Sequence, residues 1–151
     1  MTRLEAAADR VELRALVDQY AVAADTRDRA RFADVFTPDA VLSLGARDLV
    51  GHAEIVTPLD YLDAHYGRTM HLVGNHDVTL DGDTAHGLVY CLAHHISGTG
   101  DDATDTMMAV RYVDDYVRTG SGWRIARRAT HVDWLEDRRA ELSRRPPPIA
   151  R

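Results

Sequence analysis

Lysine is absent from this 151-residue chain: all 18 of its basic residues are arginine. That removes Schiff-base catalysis, a pyridoxal phosphate anchor and a phosphate-loop lysine together. Cysteine is almost absent too. Cys91 is the single one, so no intrachain disulfide can form, and its apolar setting, Gly87-Leu-Val-Tyr-Cys-Leu-Ala93, predicts a buried, inert thiol. No window approaches 18 consecutive apolar residues, and the opening Met1-Thr-Arg-Leu-Glu-Ala is charged rather than signal-like. The expectation is a cytoplasmic protein with no membrane partner. Basic residues are outnumbered by 24 acidic ones, for a net charge of -6, which argues against a nucleic-acid partner. Arg138, Arg139, Arg144 and Arg145 read as a solvated tail. Neither Gly-x-Gly-x-x-Gly nor Gly-x-Ser-x-Gly occurs, which disfavours dinucleotide binding and nucleophile-elbow hydrolysis.

What is present suits one domain with a real core: 45% hydrophobic and 28% charged residues. Leu13, Leu16, Val17, Tyr20, Ala21 and Ala24 repeat at helical spacing and predict an amphipathic helix. A short second helix follows Asp28, with Ala30, Ala33, Val35 and Phe36 apolar, and Thr37-Pro38-Asp39 is expected to end it. Short strands are predicted at Val41–Leu44 and Asp48–Gly51, then a third helix between about His52 and Tyr66. The second half reads as strands: 71–80, Thr84–Ser97, Met107–Arg118 and Trp123–Trp134. An Asp81-Gly82-Asp83 turn joins the first two, and Gly120-Ser121-Gly122 the last two. Helices first and an antiparallel meander after them is an α+β plan, with the domain at 1–134 and a tail at 135–151 that carries Pro146-Pro147-Pro148.

A few polar residues fall where apolar ones are expected. Asp25 lies four residues after Ala21 and eight after Val17, so it either caps the next turn or enters the core from the helix's apolar stripe. An unpaired carboxylate there costs several kcal/mol, so the second reading requires a partner. His71 opens a strand before Leu72, Val73 and Gly74 and is the candidate: a carboxylate on one ring nitrogen fixes the tautomer and leaves the other free to take a proton. His94 and His95 are adjacent, so they face opposite ways. His94 shares its face with Tyr90 and Leu92, and His95 with Cys91 and Ala93. Met108, Val110 and Tyr112 alternate on the next strand as core or pocket wall, and a buried Tyr112 phenol needs a partner. Arg128 is either exposed like Arg127 or turned inward, where it would suit an anionic or phenolate-bearing ligand. The eight histidines show no His-x-x-x-His pair and no Cys/His cluster, so no metal site is expected.

Four segments together resemble the SnoaL-like family of the NTF2-like superfamily. They are Tyr20–Asp25 with Arg31–Val41, then Met70–Asn75, Asp81–Tyr90, and Arg111–Tyr116 with Gly122–Arg124. The resemblance spans residues 8–134. It implies a cone-shaped α+β fold in which a curved antiparallel sheet wraps the N-terminal helices and encloses an apolar pocket. Scytalone dehydratase, hexachlorocyclohexane dehydrochlorinase and bile-acid 7α-dehydratase represent its enzymes, which are cofactor-free lyases, typically trimeric.

By that resemblance Asp25 and His71 form the catalytic pair, with Tyr20 and His94 as further polar groups. Val17, Ala21, Leu92, Met108, Val110, Tyr112, Arg128, Thr130 and Val132 bind substrate. Val110 departs from the pattern: scytalone dehydratase carries a serine there, so its substrate does not suit this chain. The expectation is a cofactor-independent lyase, of dehydratase or dehydrohalogenase type, acting on a small hydrophobic ring compound and assembled as a homo-oligomer, a trimer before a dimer. An isomerase, a polyketide cyclase or a non-catalytic binding module on the same fold stays open.

Overall fold

Helix α1 (Arg3–Thr26) starts at a capping box. The Thr2 hydroxyl accepts from the Glu5 amide at 3.2 Å, and the Glu5 carboxylate accepts from the Thr2 amide at 2.6 Å. Its periodic apolar side chains Leu13, Leu16, Val17, Tyr20, Ala23 and Ala24 are all buried. In this computed structural model, which describes residues 2–142, helix α2 (Arg29–Asp34) is capped by Asp28 and stops earlier than expected. Thr37-Pro38-Asp39 does not end it but lies inside strand β1 (Phe36–Ser43). The pairing of β1 with its neighbour skips from Phe36 to Val41, so Pro38 sits where no ladder N–H is required.

Strand β2 (Asp48–Val50) leads into two short helices, α3 (Gly51–Ile55) and α4 (Thr57–His65), in place of the single helix expected. Pro58, in the first turn of α4, has no amide to continue the hydrogen bonding of α3. Four long strands follow: β3 (Arg68–Asp81), β4 (Thr84–Ser97), β5 (Thr104–Thr119) and β6 (Gly122–Arg139). β6 runs past Trp134 because β5 already pairs from Thr104, whose partner is Arg139. Pro146–Pro148, Arg144 and Arg145 lie outside the described residues.

The six strands form one unclosed sheet in the order β2-β1-β6-β5-β4-β3. Four of its seams are antiparallel and the β1–β6 seam is parallel. Register sorts the side chains onto two faces. Val89, Cys91 and Ala93 of β4, opposite Tyr112, Val110 and Met108 of β5, face the core under α1. On the other face Leu72, Leu92, Ala109 and Trp134 align across four strands, with Leu72 61%, Leu92 41% and Trp134 59% exposed. Helix α1 is fixed to the β5–β6 hairpin at buried Asp9, which accepts from Trp123 Nε1 at 3.1 Å and Arg118 Nη2 at 2.7 Å. None of the described helices is long and apolar enough to cross a membrane.

Candidate active site

The last turn of α1 projects Asp25 toward the start of β3. His71 Nδ1 lies 2.7 Å from Asp25 Oδ1, and the His71 amide donates to Oδ2 at 2.9 Å. Thr69, two residues earlier on the same strand face, donates its hydroxyl to Oδ1 at 2.8 Å. Asp25 therefore enters the structure as a partnered carboxylate rather than as a cap. Burial pushes its carboxyl up, but the His71 ring, the His71 amide and Thr69 more than offset that, and it sits below the ordinary carboxylate value. An ionised carboxylate only accepts, so the shared proton belongs on Nδ1 and His71 Nε2 carries the lone pair.

The second imidazole is His95. Its ring is 5.6 Å from that of His71, edge to face, and 4.9 Å from the Tyr66 ring. It is buried, and its Nδ1 lies 3.3 Å from the Thr106 carbonyl oxygen, which accepts only. Nδ1 thus bears the proton and Nε2 is bare. Burial, then the charge of His71, holds His95 below the ordinary imidazole value, so it is neutral. The structure does not bring His94 to the Asp25–His71 pair, because with Tyr90 and Leu92 it stands on the outer face. There its Nδ1 meets Asp105 at 2.8 Å, and Asp105 also takes Arg138 Nη2 at 2.9 Å. Leu92 is likewise on the outer face, away from the dyad.

Deeper along the inner face Arg128 is fully buried. Its Nε and Nη2 clamp Asp114 at 2.8 and 2.6 Å, and its guanidinium lies 4.1 and 4.3 Å from the ring centroids of Tyr20 and Tyr112. Burial alone would lower its pKa, but the Asp114 carboxylate outweighs that and raises it, so the cation is permanent. Burial pushes both phenols up, Tyr112 strongly, which keeps them protonated. Tyr116 donates to Asp114 at 2.6 Å, and His76 Nε2 meets the Tyr116 oxygen at 3.1 Å. Arg128 Nη1 and Thr130 Oγ1 are buried without a partner among the described residues.

Of the other expected residues, Val17, Ala21 and Val110 are buried beside this group, and Met108 packs against the same core. Val132 pairs with Val110 but is half exposed. Cys91 is buried and its thiol is pushed up to about 11 by burial, which makes it inert. Hollows of about 440 and 260 Å³ lie at the β5–β6 end (Asp101–Thr104, Asp137–Arg139) and behind α1 (Glu12, Gln19, Trp123). Neither touches the dyad. The candidate site is a convergence of hydrogen-bonded titratable groups rather than a surface concavity.

Sequence reasoning did not single out Thr69, Arg27 or Asp114, and it named His94, on the outer face, where the structure brings His95 beside His71. Thr69 and Asp114 were findable in principle, since each lies two residues from a chosen one on the same strand face.

A SnoaL-like domain model matches residues 5–129, and the chain belongs to that family. It is 36% identical over 125 residues to an uncharacterized protein of Mycobacterium tuberculosis strain H37Rv, covering 80% of this chain and 82% of the relative. In fold it resembles a type 2 hexachlorocyclohexane dehydrochlorinase, with 19% identity, TM-score 0.83, and 98% and 100% of the two chains covered. It also resembles a scytalone-dehydratase-like protein of Novosphingobium aromaticivorans, with 18% identity, TM-score 0.78, and 92% and 95% covered.

Proposed function

We propose that the chain is a cytoplasmic, cofactor-independent lyase that starts an elimination by removing a proton from carbon. The observation that carries this reading is the 2.7 Å Asp25–His71 pair, which frees Nε2 of a half-buried imidazole as the base. The C–H bond breaks toward Nε2, and Asp25 stabilises the imidazolium. The leaving group departs from the adjacent carbon as its bond breaks, and a double bond forms. His95, neutral with a bare Nε2, is not a proton donor to that group. The His71 imidazolium is therefore the acid that protonates a departing hydroxyl, and a departing halide requires none. Tyr20 and Tyr112 remain phenols, fit to hydrogen-bond a carbonyl. Walls of Val17, Ala21, Met108 and Val110 favour a small, largely apolar ring. Thr130 and Val132 belong to the same wall.

A dehydrochlorinase and a dehydratase-like protein among the structural relatives support elimination over other proton-abstraction chemistry. The bare Nε2 of His95 favours one second reading, isomerisation, in which a proton leaves one carbon and returns at another. The exposed row Leu72, Leu92 and Trp134 supports assembly as a homo-oligomer through the outer face, with a trimer proposed before a dimer.

The test is a panel of hydroxylated and halogenated ring compounds followed for acid, water or halide release. Turnover by the wild type and its loss in His71→Gln are expected. Equal rates in the two would sink the proposal.

A further inference from the structure

Arg27 is an anomaly in the backbone. It follows α1 with φ 58°, and among the described residues it is the only one other than glycine with positive φ. Glycine or asparagine ordinarily fills such a helix-ending position, because a side chain there is strained. The arginine is retained, and its side chain folds back rather than reaching for solvent. Nη1 donates to the carbonyl of Ala24 and, at 2.8 Å, to Thr69 Oγ1. Its Nε is buried with no hydrogen-bond partner among the described residues. A cap alone needs neither the strain nor a half-buried cation whose Nε is left unfilled.

Through Thr69 the contact continues. The Thr69 hydroxyl accepts from Arg27, so its one proton points the other way, to Asp25 Oδ1, the same oxygen that receives His71 Nδ1–H. We propose that Arg27 is a positioning residue for the Asp25–His71 pair, acting through Thr69: it fixes the hydroxyl as a donor and so orients and partly neutralises the carboxylate oxygen that His71 uses. This rests on the reading of Asp25 and His71 as an acid–base pair. The charged and titratable groups facing Asp25 are Arg27 at the end of its own helix, His71 on β3, and His95 and Cys91 on β4, with Asp63 of α4 acting on Arg27.

The consequence is a carboxyl that titrates lower than the histidine pair alone would make it. The test follows the Asp25 side-chain carbon by carbon-13 NMR from pH 2 to 7 in the full chain, comparing wild type with Arg27→Met, Thr69→Val and Thr69→Ser. Circular dichroism establishes that each variant folds. The Asp25 midpoint should rise by about half a pH unit or more in Arg27→Met and in Thr69→Val, and stay in place in Thr69→Ser, which keeps the donor. Arg27→Lys, which keeps a charge and a donor without the fork, replaces Arg27→Met if that variant does not fold, and should shift the midpoint less than Thr69→Val does. A shift in Thr69→Val with none in Arg27→Met, an Arg27→Lys shift as large as that of Thr69→Val, or no shift in Thr69→Val overturns the proposal. The titration needs no substrate, so a failed search for turnover and a failed positioning role are separate results.

Discussion

The described residues hold three histidine–aspartate pairs; His86–Asp115 is exposed, and the other two, with their histidines on neighbouring strands, differ in almost nothing that a distance reports. His71 meets Asp25 at 2.7 Å and His94 meets Asp105 at 2.8 Å, each through Nδ1. What separates them is the face of the sheet and the rest of the carboxylate's company. Asp25 is completed by a hydroxyl and an amide, so His71 is its one cationic hydrogen-bond partner once protonated. Asp105, buried on the outer face, is already neutralised by the exposed Arg138. The inner carboxylate reaches a permanent cation only at second hand, Arg27 through Thr69, whereas the outer one is held directly by a guanidinium. The short hydrogen bond alone does not distinguish the two pairs.

Asp114 sharpens the comparison and carries the largest expected effect. It shows the opposite limit, a carboxylate clamped by a fully buried, permanently charged Arg128. Asp114→Asn should destabilise the fold by about 3–5 kcal/mol, because it leaves the guanidinium buried and uncompensated. Urea unfolding measures this, and Asp105→Asn in the same assay should cost far less. A smaller effect separates the adjacent imidazoles. His95→Phe should lower an isomerisation, which uses its Nε2, by about 10²-fold and leave an elimination run by His71 within a few-fold, whereas His94→Phe stays within a few-fold in both, as steady-state kinetics would record.

The smallest expected effect is in the pH dependence of stability, where both pairs contribute alike. Burial raises the Asp25 and Asp105 carboxyls, but their hydrogen-bonded and charged partners outweigh it and bring both below the ordinary 3.8. Near and below that value the unfolded chain binds more protons. Their stabilisation is therefore full above it and disappears as pH falls through the folded-state values. His95, held low by burial, acts a step earlier. Its unfolded form takes a proton near 6.5 while the folded form resists, so stability should decline as pH falls below about 7. His76, also held low by burial, contributes in the same window, so a thermal melt series from pH 8 to 5 should show the decline and His95→Phe should make it shallower without abolishing it.

Much of this arrangement was legible in the residues. The Asp-Gly turn fixed β4 at Thr84–Ser97, and the i, i+4, i+8 spacing of Val17, Ala21 and Asp25 put the carboxylate on the buried side of α1. Period two correctly grouped His94 with Tyr90 and Leu92 and His95 with Cys91 and Ala93. Which group faces the core is a binary choice that local pattern leaves open, because Leu92 and Tyr90 look as buriable as Cys91 and Ala93. Arg128 posed the same choice, and the deciding residue, Asp114, is on another strand. Arg27 was illegible for a different reason: its left-handed backbone and its contact with Thr69 arise only when α1 docks on β3. The extension of β6 to Arg139 was hidden because exposed, charged residues there gain their order from pairing with β5 rather than from burial.

The most direct test of the central claim compares Asp25→Asn with Asp105→Asn on one substrate from the ring-compound panel, both verified as folded. Turnover should fall by about 10²–10⁴-fold in Asp25→Asn and stay near wild type in Asp105→Asn. Equal activity in Asp25→Asn, or a loss confined to Asp105→Asn, would contradict the assignment of the inner pair as the base.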